Sequence, residues 1–196
     1  MISKDNITGI ILAGGRGSRL GFDKGLLLDN GITLIERAIN VLSGHCNKLI
    51  ISSNNLEYNK FGIERVPDIL EKNGPMMGIY SSLIASTTKH NLVLAVDNIF
   101  VDAAFYEYVL SKLDGSIVAL PFIDKQYFEP LVGYYSKEIL PDMKRMVYQN
   151  NLKLPDLLEI IQVLKLNVQD DYPAYFDDYF RSINLPEDLL ILRNSS

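Results

Sequence analysis

The sequence predicts an α/β fold: a Rossmann-like doubly wound, mostly parallel sheet with helices on both faces. Short apolar runs of strand length alternate along the chain with segments of helical periodicity, and the first apolar run ends in a cluster of glycines. Alternating strands and helices favour a parallel sheet, because each crossover helix returns the chain to the same edge. Ligands of such sheets bind beyond the carboxyl ends of the strands. With 196 residues and no evident linker, we expect residues 1–196 to form one domain.

The strands are predicted from apolar runs. Residues 7–12 are almost continuously apolar, which is typical of a buried strand. Segments of strand length and strand-like composition predict further strands at 48–52, 62–66, 91–96, 116–120, 129–135 and 163–168. The run at 91–96 ends at Asp97, so this carboxylate and the glycines after Leu12 are expected at the same edge of the sheet.

The helices are predicted from apolar residues that recur at intervals of three and four. Residues 33–42 show this spacing, and Thr33 is available to cap the helix at its N-terminus. A proline at the first helical position predicts that the last helix begins at Pro186. The remaining predicted helices are 76–85, which follows Gly74-Pro75, then 101–113, 136–149 and 155–161.

The composition excludes several classes of protein. With 47% hydrophobic and 22% charged residues, it is that of an ordinary globular protein. The net charge of −5 argues against nucleic acid or a membrane surface as partner, because both favour basic patches. The one cysteine, Cys46, excludes an internal disulfide framework and is expected to be a buried apolar group. No membrane-length apolar run and no signal-peptide pattern are present, so we expect a cytoplasmic protein.

The segment from Leu12 to Gly25 combines five glycines with three cations, Arg16, Arg19 and Lys24. Glycine lets backbone N–H groups approach an anion closely, and fixed positive charge complements a polyphosphate. A nucleoside triphosphate is therefore the expected ligand. A glycine-rich turn that merely carries surface cations is the alternative.

Two common nucleotide loops do not match this segment. A P-loop requires Gly-Lys followed by Ser or Thr, whereas Lys24 lies between Asp23 and Gly25. The dinucleotide fingerprint fits at Gly15 and Gly17, but Leu20 occupies the position of its third glycine. A dehydrogenase is therefore disfavoured.

The whole string from residue 12 to residue 25, LAGGRGSRLGFDKG, resembles the signature loop of the nucleotidyltransferase superfamily that includes sugar-phosphate nucleotidyltransferases. Its ending Asp23-Lys24-Gly25 is most similar to the molybdenum cofactor guanylyltransferases. Further similarities follow in the expected order and together cover residues 7–190. They are Asp68 before Gly-Pro-Met-Met-Gly at 74–78, Asp97 after its strand, Glu129-Pro130-Leu131 with Tyr134-Tyr135, and Asn-Leu-Pro-Glu-Asp-Leu at 184–189.

The resemblance implies a fold of the nucleotide-diphospho-sugar transferase type and a nucleotidyl transfer reaction. GMP would pass from GTP to molybdopterin with release of pyrophosphate and with Mg²⁺ as cofactor. The residues implied in catalysis are Lys24, Arg19 and Asp97, with Asp97 as the metal ligand. Those implied in nucleotide binding are Leu12, Ala13, Gly14, Gly15, Arg16, Lys24, Ser52, Asp68 and Asp97.

The individual roles follow from chemistry. Arg16 and Arg19 are suited to hold pyrophosphate because a guanidinium binds phosphate oxygens in bidentate fashion. Asp68 would accept hydrogen bonds from N1–H and the N2 amine of guanine. The alternatives are purely structural: the cations would lie on a solvated surface, Asp97 would cap a helix, and Asp68 would belong to a turn. Ser18 either donates to phosphate or stabilises the turn, and Asn184 either orients the metal site or caps the last helix.

The chain departs from the family at three places. Proline is missing two residues after Asp97, Ser52 occupies a position where asparagine is usual (with Asn54 two residues on), and Ser182 replaces the first asparagine of an N-x-N segment. Two alternatives therefore stay open: a related enzyme that uses CTP or another phosphorylated acceptor, and a nucleotide-binding homologue without turnover. Transient contact with molybdoenzymes or their chaperones is a further expectation from the family.

Other polar residues are expected to be structural. The attacking phosphate monoester has a second pKa of about 6 and needs no general base, so His45 and His90 are assigned to surface connections. Only one of Tyr134 and Tyr135 is expected to face the cleft, because neighbouring residues of a strand point to opposite faces. The acidic residues Asp170, Asp171, Asp177 and Asp178 are expected on a solvated surface.

Overall fold

The computed structural model describes residues 2–14, 23–70, 74–183 and residue 188. Eight of its strands form one sheet, and β2 and β3 form a separate hairpin. In chain order the strands are β1 (Ile7–Leu12), β2 (Leu28–Asp29), β3 (Ile32–Thr33), β4 (Lys48–Ser52), β5 (Glu64–Val66), β6 (His90–Ala95), β7 (Val118–Ile123), β8 (Tyr127–Phe128), β9 (Val132–Ser136) and β10 (Leu164–Leu166).

The sheet has the order β10-β7-β9-β6-β1-β4-β5, with β8 paired to β7. Strand β1 lies in the interior of the sheet and runs parallel to both neighbours, β4 and β6. Strand β9 runs antiparallel to β6 and β7. The prediction of a mostly parallel sheet is thus confirmed. The reversed direction of β9 was not predicted from the sequence. The connection from β7 to β9, residues 124–131, is too short for a crossover helix, which needs about a dozen residues.

Helices cover both faces of the sheet, as the sequence predicts. Residues of β1 alternate between the two faces: Ile7 and Ile11 pack with α1 and α3, whereas Ile10 and Leu12 pack with α2, α4 and α5. Cys46 is buried on the first face and is a free thiol. The helices are α1 (Leu34–Ser43), α2 (Pro75–Ala85), α3 (Ala103–Lys112), α4 (Leu140–Tyr148), α5 (Leu154–Ile160) and α6 (Val168–Asp171).

The starts of two helices follow from local chemistry. Thr33 caps α1 as predicted, and it does so in a reciprocal capping box: its hydroxyl accepts from the N–H of Glu36, and the Glu36 carboxylate accepts from the N–H of Thr33 at 2.8 Å. Helix α2 begins at Pro75, directly after Gly74 in a positive-φ conformation (φ 76°). Proline needs no N–H partner at this position, so the helix can begin directly after Gly74.

Several elements differ from the predicted ones. The predicted helix 136–149 begins as a 3₁₀ turn, Lys137–Ile139, and becomes α-helical only at Leu140, beside Pro141 in the first turn. The β2–β3 hairpin was not predicted, although its Asn30-Gly31 turn, with φ of 49° and 87°, is a strong hairpin signal. The helix predicted from Pro186 lies outside the described residues.

None of the helices in the described part of the chain has the length and apolar character needed to cross a membrane.

Candidate active site

The carboxyl end of β1 is fixed to both neighbouring strands. The N–H of Ala13 donates to the carbonyl of Ser52 at 3.0 Å, and the Ser53 hydroxyl donates to the Ala13 carbonyl at 3.0 Å. On the other side, the N–H of Val96 donates to the carbonyl of Leu12 at 3.1 Å. The glycine-rich segment therefore leaves the sheet from a defined point between β4 and β6.

The first residues of the predicted loop differ in accessibility. Leu12 and Ala13 are buried and contribute backbone, whereas Gly14 is exposed. A Cβ at Gly14 would approach the Ser52 carbonyl at 3.8 Å, an ordinary van der Waals distance, so this backbone is open to a ligand. The predicted residues Gly15, Arg16, Ser18 and Arg19 lie outside the described residues.

Lys24 and Asp97 form an ion pair across the edge of the sheet. Lys24 Nζ lies 3.0 Å from Asp97 Oδ2, although the residues are 73 positions apart in sequence. Their side chains are 20% and 22% exposed, so both groups are partly accessible to a ligand. The structure thus brings together the cation and the carboxylate to which the sequence assigns catalytic roles.

Asp23 is held by residues that the sequence analysis did not single out. Its carboxylate accepts hydrogen bonds from the Tyr58 hydroxyl and from Asn55 Nδ2, the latter at 2.8 Å. It also accepts from the N–H of Gly25 and so caps the 3₁₀ turn Lys24–Leu26. Tyr58 and Asn55 belong to the segment after β4, and only their position within a polar stretch could have drawn attention to them.

Asp68 lies at the same edge, shortly after β5. Its N–H donates to Asn54 Oδ1 at 2.9 Å, and Asn54 Nδ2 approaches its carboxylate at 3.4 Å. Burial raises the pKa of Asp68, and the hydrogen bond from Asn54 partly opposes this rise. A Cβ at Gly78 of α2 would lie 2.8 Å from Ser52 Oγ and 3.7 Å from Asp68 Oδ1, so Ser52, Asp68 and Gly78 meet in one place.

Glu129 is the second carboxylate near Asp97. Its pKa is raised to about 7, chiefly by burial; a hydrogen bond from the N–H of Leu131 lowers it, and the negative charge of Asp97 raises it. The Leu131 N–H lies 3.2 Å from Glu129 Oε1. The Tyr135 hydroxyl donates to the carbonyl of Pro130 at 2.7 Å, which fixes the segment between β8 and β9.

The segment 180–183 is attached directly behind Asp97. The N–H of Ile183 donates to the Asp97 carbonyl at 3.0 Å, and Asn98 Nδ2 donates to the Phe180 carbonyl at 2.9 Å. Ile99, at the position where the resemblance leads us to expect proline, packs with Leu34 and Ile183. This side chain thus gives the loop after β6 an apolar contact with the C-terminal segment. Asn184 lies outside the described residues.

Residues 9–164 match the family model of the MobA-like NTP transferase domain. The chain belongs to this family.

Relatives of this MobA-like NTP transferase extend the match to nearly the whole chain. It is 33% identical over 195 residues to a probable molybdenum cofactor guanylyltransferase from Natranaerobius thermophilus, with 94% of each chain covered. A probable molybdenum cofactor guanylyltransferase from Flavobacterium johnsoniae is 31% identical over 166 residues, which cover 85% of this chain and 87% of that protein. The family inferred from the glycine-rich loop is therefore confirmed.

Solved structures confirm the nucleotidyltransferase fold. Molybdopterin-guanine dinucleotide biosynthesis protein A from Archaeoglobus fulgidus superimposes with a TM-score of 0.76 at 23% identity, covering 96% of this chain and 97% of that chain. A 4-diphosphocytidyl-2C-methyl-D-erythritol synthase from Anaerococcus prevotii gives a TM-score of 0.72 at 12% identity, covering 98% of this chain and 96% of that chain. At these identities the similarity concerns the fold alone.

The carboxylates of this transferase fit a magnesium ion that is shared with a phosphate ligand. Mg²⁺ is usually held by one or two carboxylates, with water and phosphate oxygens completing its shell. Asp97 is accessible at the strand end, and the charge of Glu129 is close enough to interact with it. Within the described residues no three His, Cys, Asp or Glu side chains are grouped to hold a metal by themselves. The donor set therefore suits an ion that arrives with its nucleotide.

Several other expectations have a clear outcome. The carboxylates at 170, 171, 177 and 178 are exposed, as expected. His45 lies in a connection after α1, but His90 is the first residue of β6, where its Nδ1 lies 2.6 Å from the Tyr134 hydroxyl. The expectation that one of Tyr134 and Tyr135 faces the cleft is wrong. Both rings are buried, because β9 lies inside the sheet with helices on both faces.

Proposed function

We propose that this MobA-like NTP transferase transfers GMP from GTP to molybdopterin and releases pyrophosphate. The observation that carries the proposal is the accessible Lys24–Asp97 pair at the carboxyl edge of the sheet, beside the glycine-rich loop. It is supported by two relatives, both named probable molybdenum cofactor guanylyltransferases, which match at least 85% of the chain. We also propose Mg²⁺ as the cofactor.

The proposed reaction joins two anions. A phosphate oxygen of molybdopterin attacks the α-phosphorus of GTP, a new P–O bond forms, and the bond between the α-phosphorus and its bridging oxygen breaks. The bridging oxygen leaves with pyrophosphate. Because the second pKa of a phosphate monoester is about 6, the nucleophile is already ionised at neutral pH and no protein base has to remove a proton.

The protein's contribution to this reaction is charge and alignment. Lys24 would neutralise charge on the phosphates as it builds up, which is how preorganised cations accelerate phosphoryl chemistry. Arg16 and Arg19 are proposed to bind the leaving pyrophosphate through their planar guanidinium groups. Asp97, with Glu129 beside it, would hold Mg²⁺. When bound, this ion would neutralise phosphate charge and orient the reacting groups.

The choice of base is assigned to Asp68. An ionised carboxylate offers only acceptors, which complements the N1–H and N2 amine of guanine. Neither adenine nor cytosine presents this pair of donors. Asp68 lies next to Ser52 and Gly78, so the end of β4, the chain after β5 and helix α2 meet at the proposed position of the base. Ser52 and the backbone of residues 12–14 complete the proposed nucleotide-binding surface.

The proposal is tested by binding and turnover together. Thermal shifts are measured with GTP, CTP and ATP, each with and without Mg²⁺, and pyrophosphate release is then followed with molybdopterin present. We expect a shift of several degrees with GTP and Mg²⁺, and pyrophosphate release only when molybdopterin is added. Stabilisation by CTP instead would overturn the guanine assignment. Tight GTP binding without pyrophosphate release would identify a nucleotide-binding homologue that lacks turnover.

A further inference from the structure

Asp23 connects two parts of the chain that are distant in sequence. Its carboxylate accepts hydrogen bonds from the Tyr58 hydroxyl at 2.5 Å, from Asn55 Nδ2 at 2.8 Å and from the N–H of Gly25 at 3.1 Å. We propose that Tyr58 and Asn55 are positioning residues that fix Lys24 in the active site by holding Asp23. As far as turnover is concerned, this inference rests on the proposed function.

The first step of the argument is the turn that carries Lys24. Asp23 is the N-cap of the 3₁₀ turn Lys24–Leu26, and its carbonyl accepts the N–H of Leu26 at 3.1 Å. The backbone on the N-terminal side of Lys24 therefore depends on how Asp23 is oriented. Asn55 and Tyr58, 32 and 35 residues further along, donate to its two carboxylate oxygens. The turn is thus fastened to the segment after β4 through this side chain.

The second step is the packing around the hydroxyl of Tyr58. The Tyr58 ring is fully buried, and a Cβ at Gly25 would overlap with its hydroxyl oxygen. Glycine at position 25 is therefore required for this hydroxyl to reach Asp23. Burial raises the pKa of Tyr58 far above its usual value, and the Asp23 carboxylate raises it further, so the hydroxyl stays a donor. A glycine next to the active-site lysine thus has a structural explanation.

The third step is the contact that the Lys24 ammonium group makes. From the turn, Lys24 Nζ reaches Asp97 Oδ2 at 3.0 Å. A lysine ammonium group lies at the end of a flexible four-carbon chain, and a mobile backbone would add further positions for it. Holding the backbone of Lys24 in place therefore concentrates its charge where the phosphates are proposed to bind. Loss of such positioning, by a displacement of about 1 Å, can lower the reaction rate about a hundredfold.

The test uses two variants that remove the two long-range donors. Tyr58→Phe deletes the hydroxyl and keeps the ring in the core. Asn55→Asp replaces the amide donor with a carboxylate oxygen that repels Asp23, yet it keeps the oxygen that accepts the N–H of Glu57 at 3.0 Å. The matched control is Tyr106→Phe, which removes a buried hydroxyl that donates to the carbonyl of Val93 in β6 at 2.7 Å.

The first readout needs no substrate. Lysine acetylation by acetic anhydride is followed by mass spectrometry, and Lys112, which pairs with Asp171 on the surface, serves as the internal reference. We expect the acetylation rate of Lys24 relative to Lys112 to change at least about threefold in Tyr58→Phe and Asn55→Asp, and to stay unchanged in Tyr106→Phe. An unchanged Lys24 rate in both site variants would overturn the inference. If one site variant fails to fold, the other decides.

The second readout is turnover. In Tyr58→Phe we expect kcat for GMP transfer to fall about tenfold or more, with KM for GTP changed less than about twofold. In a Lys24→Met background the same substitution should cause no further loss, because residues that act as one unit are not additive. Independent, additive losses would contradict positioning through Lys24. A wild-type protein that does not turn over GTP would refute the proposed function and leave the acetylation result standing.

Discussion

At the scale of single residues, Lys24 and Asp97 combine accessibility with close contact. A partly exposed ion pair contributes only about 0–1 kcal/mol to folding, so the Lys24–Asp97 pair contributes little to stability. It keeps a cation and a carboxylate together at the strand ends, where the phosphates of GTP are proposed to bind. The residue-level predictions therefore separate activity from stability.

We predict that Asp97→Asn lowers GMP transfer by about 10²–10³-fold and changes the free energy of unfolding by less than about 1 kcal/mol. The amide keeps the shape of the side chain but loses the charge that is proposed to hold Mg²⁺ and to pair with Lys24. The assay is pyrophosphate release with GTP and molybdopterin. Asp171→Asn, which breaks the surface pair with Lys112, is the control and should retain full activity. Undiminished activity of Asp97→Asn would refute the metal assignment.

We predict that Asp68→Asn weakens GTP binding by about ten- to a hundredfold and leaves CTP binding within about twofold of wild type. The reason is that the amide can replace one acceptor but not two, and a hydrogen bond to a charged group contributes about 1.5–3 kcal/mol. Isothermal titration calorimetry with each nucleotide measures the effect. Equal losses for GTP and CTP would show that Asp68 supports the fold of the site and does not recognise the base.

We predict that His90 makes stability depend on pH. Burial lowers the pKa of His90 below its usual value of 6.5, so the unfolded chain takes up the proton first as the pH falls. The stability present above pH 6.5 is therefore lost progressively until the lowered pKa of the folded state is passed. Urea unfolding at pH 7.5, 6.5 and 5.5 should show a smaller loss for His90→Asn, which keeps an acceptor near the Tyr134 hydroxyl. Parallel pH profiles of the two proteins would contradict this.

At the scale of elements, strands β1 and β4 agree with the sequence prediction at both ends, 7–12 and 48–52. Both strands are short, mostly apolar segments next to polar or glycine residues, so their ends could be predicted from the sequence. The direction of β9 could not be read from its pattern, because Val132 to Ser136 would look the same in a parallel strand. Only the short connection from β7 restricts it to the antiparallel arrangement.

The candidate site was partly predictable from the sequence, because some of its residues follow predicted strands. Lys24, Asp68 and Asp97 follow strands or lie in a recognisable string, so their presence at the edge could be inferred from the sequence. The contacts of Asp23 with Asn55 and Tyr58 span more than 30 residues and depend on how the segment after β4 folds back. No periodicity or spacing encodes that contact. The burial of Glu129 likewise depends on the whole arrangement of β7, β8 and β9.

We predict that Gly133→Ala in β9 destabilises the protein by about 3 kcal/mol, through overpacking and backbone strain. An added Cβ would lie 2.6 Å from the carbonyl oxygen of Ala119 on the neighbouring strand, and the backbone has φ 148°. Denaturant unfolding measures the loss. Gly44→Ala, where an added Cβ meets no atom within 4 Å, is the control and should have little effect. Similar small effects in both variants would contradict the close approach of β7 and β9.

At the scale of the whole molecule, neighbouring strand ends supply different parts of one site. The end of β1 provides the start of the glycine-rich loop, β4 provides Ser52, the chain after β5 provides Asp68, and β6 leads into Asp97. The segment 180–183 is hydrogen-bonded to Asp97 and Asn98 and so lies at the same edge of the sheet. An acidic protein whose sequence gathers three cations in one loop is thus suited to the small anionic ligand proposed above.

The most direct test of this account is a competition for one acceptor. The purified protein is given molybdopterin, Mg²⁺ and equal concentrations of GTP and CTP, and the dinucleotide products are quantified by mass spectrometry. Two hydrogen bonds to an ionised carboxylate predict that the guanine dinucleotide exceeds the cytosine dinucleotide by about a hundredfold or more. A predominance of the cytosine product, or the absence of any dinucleotide from a protein that binds GTP, would contradict the account.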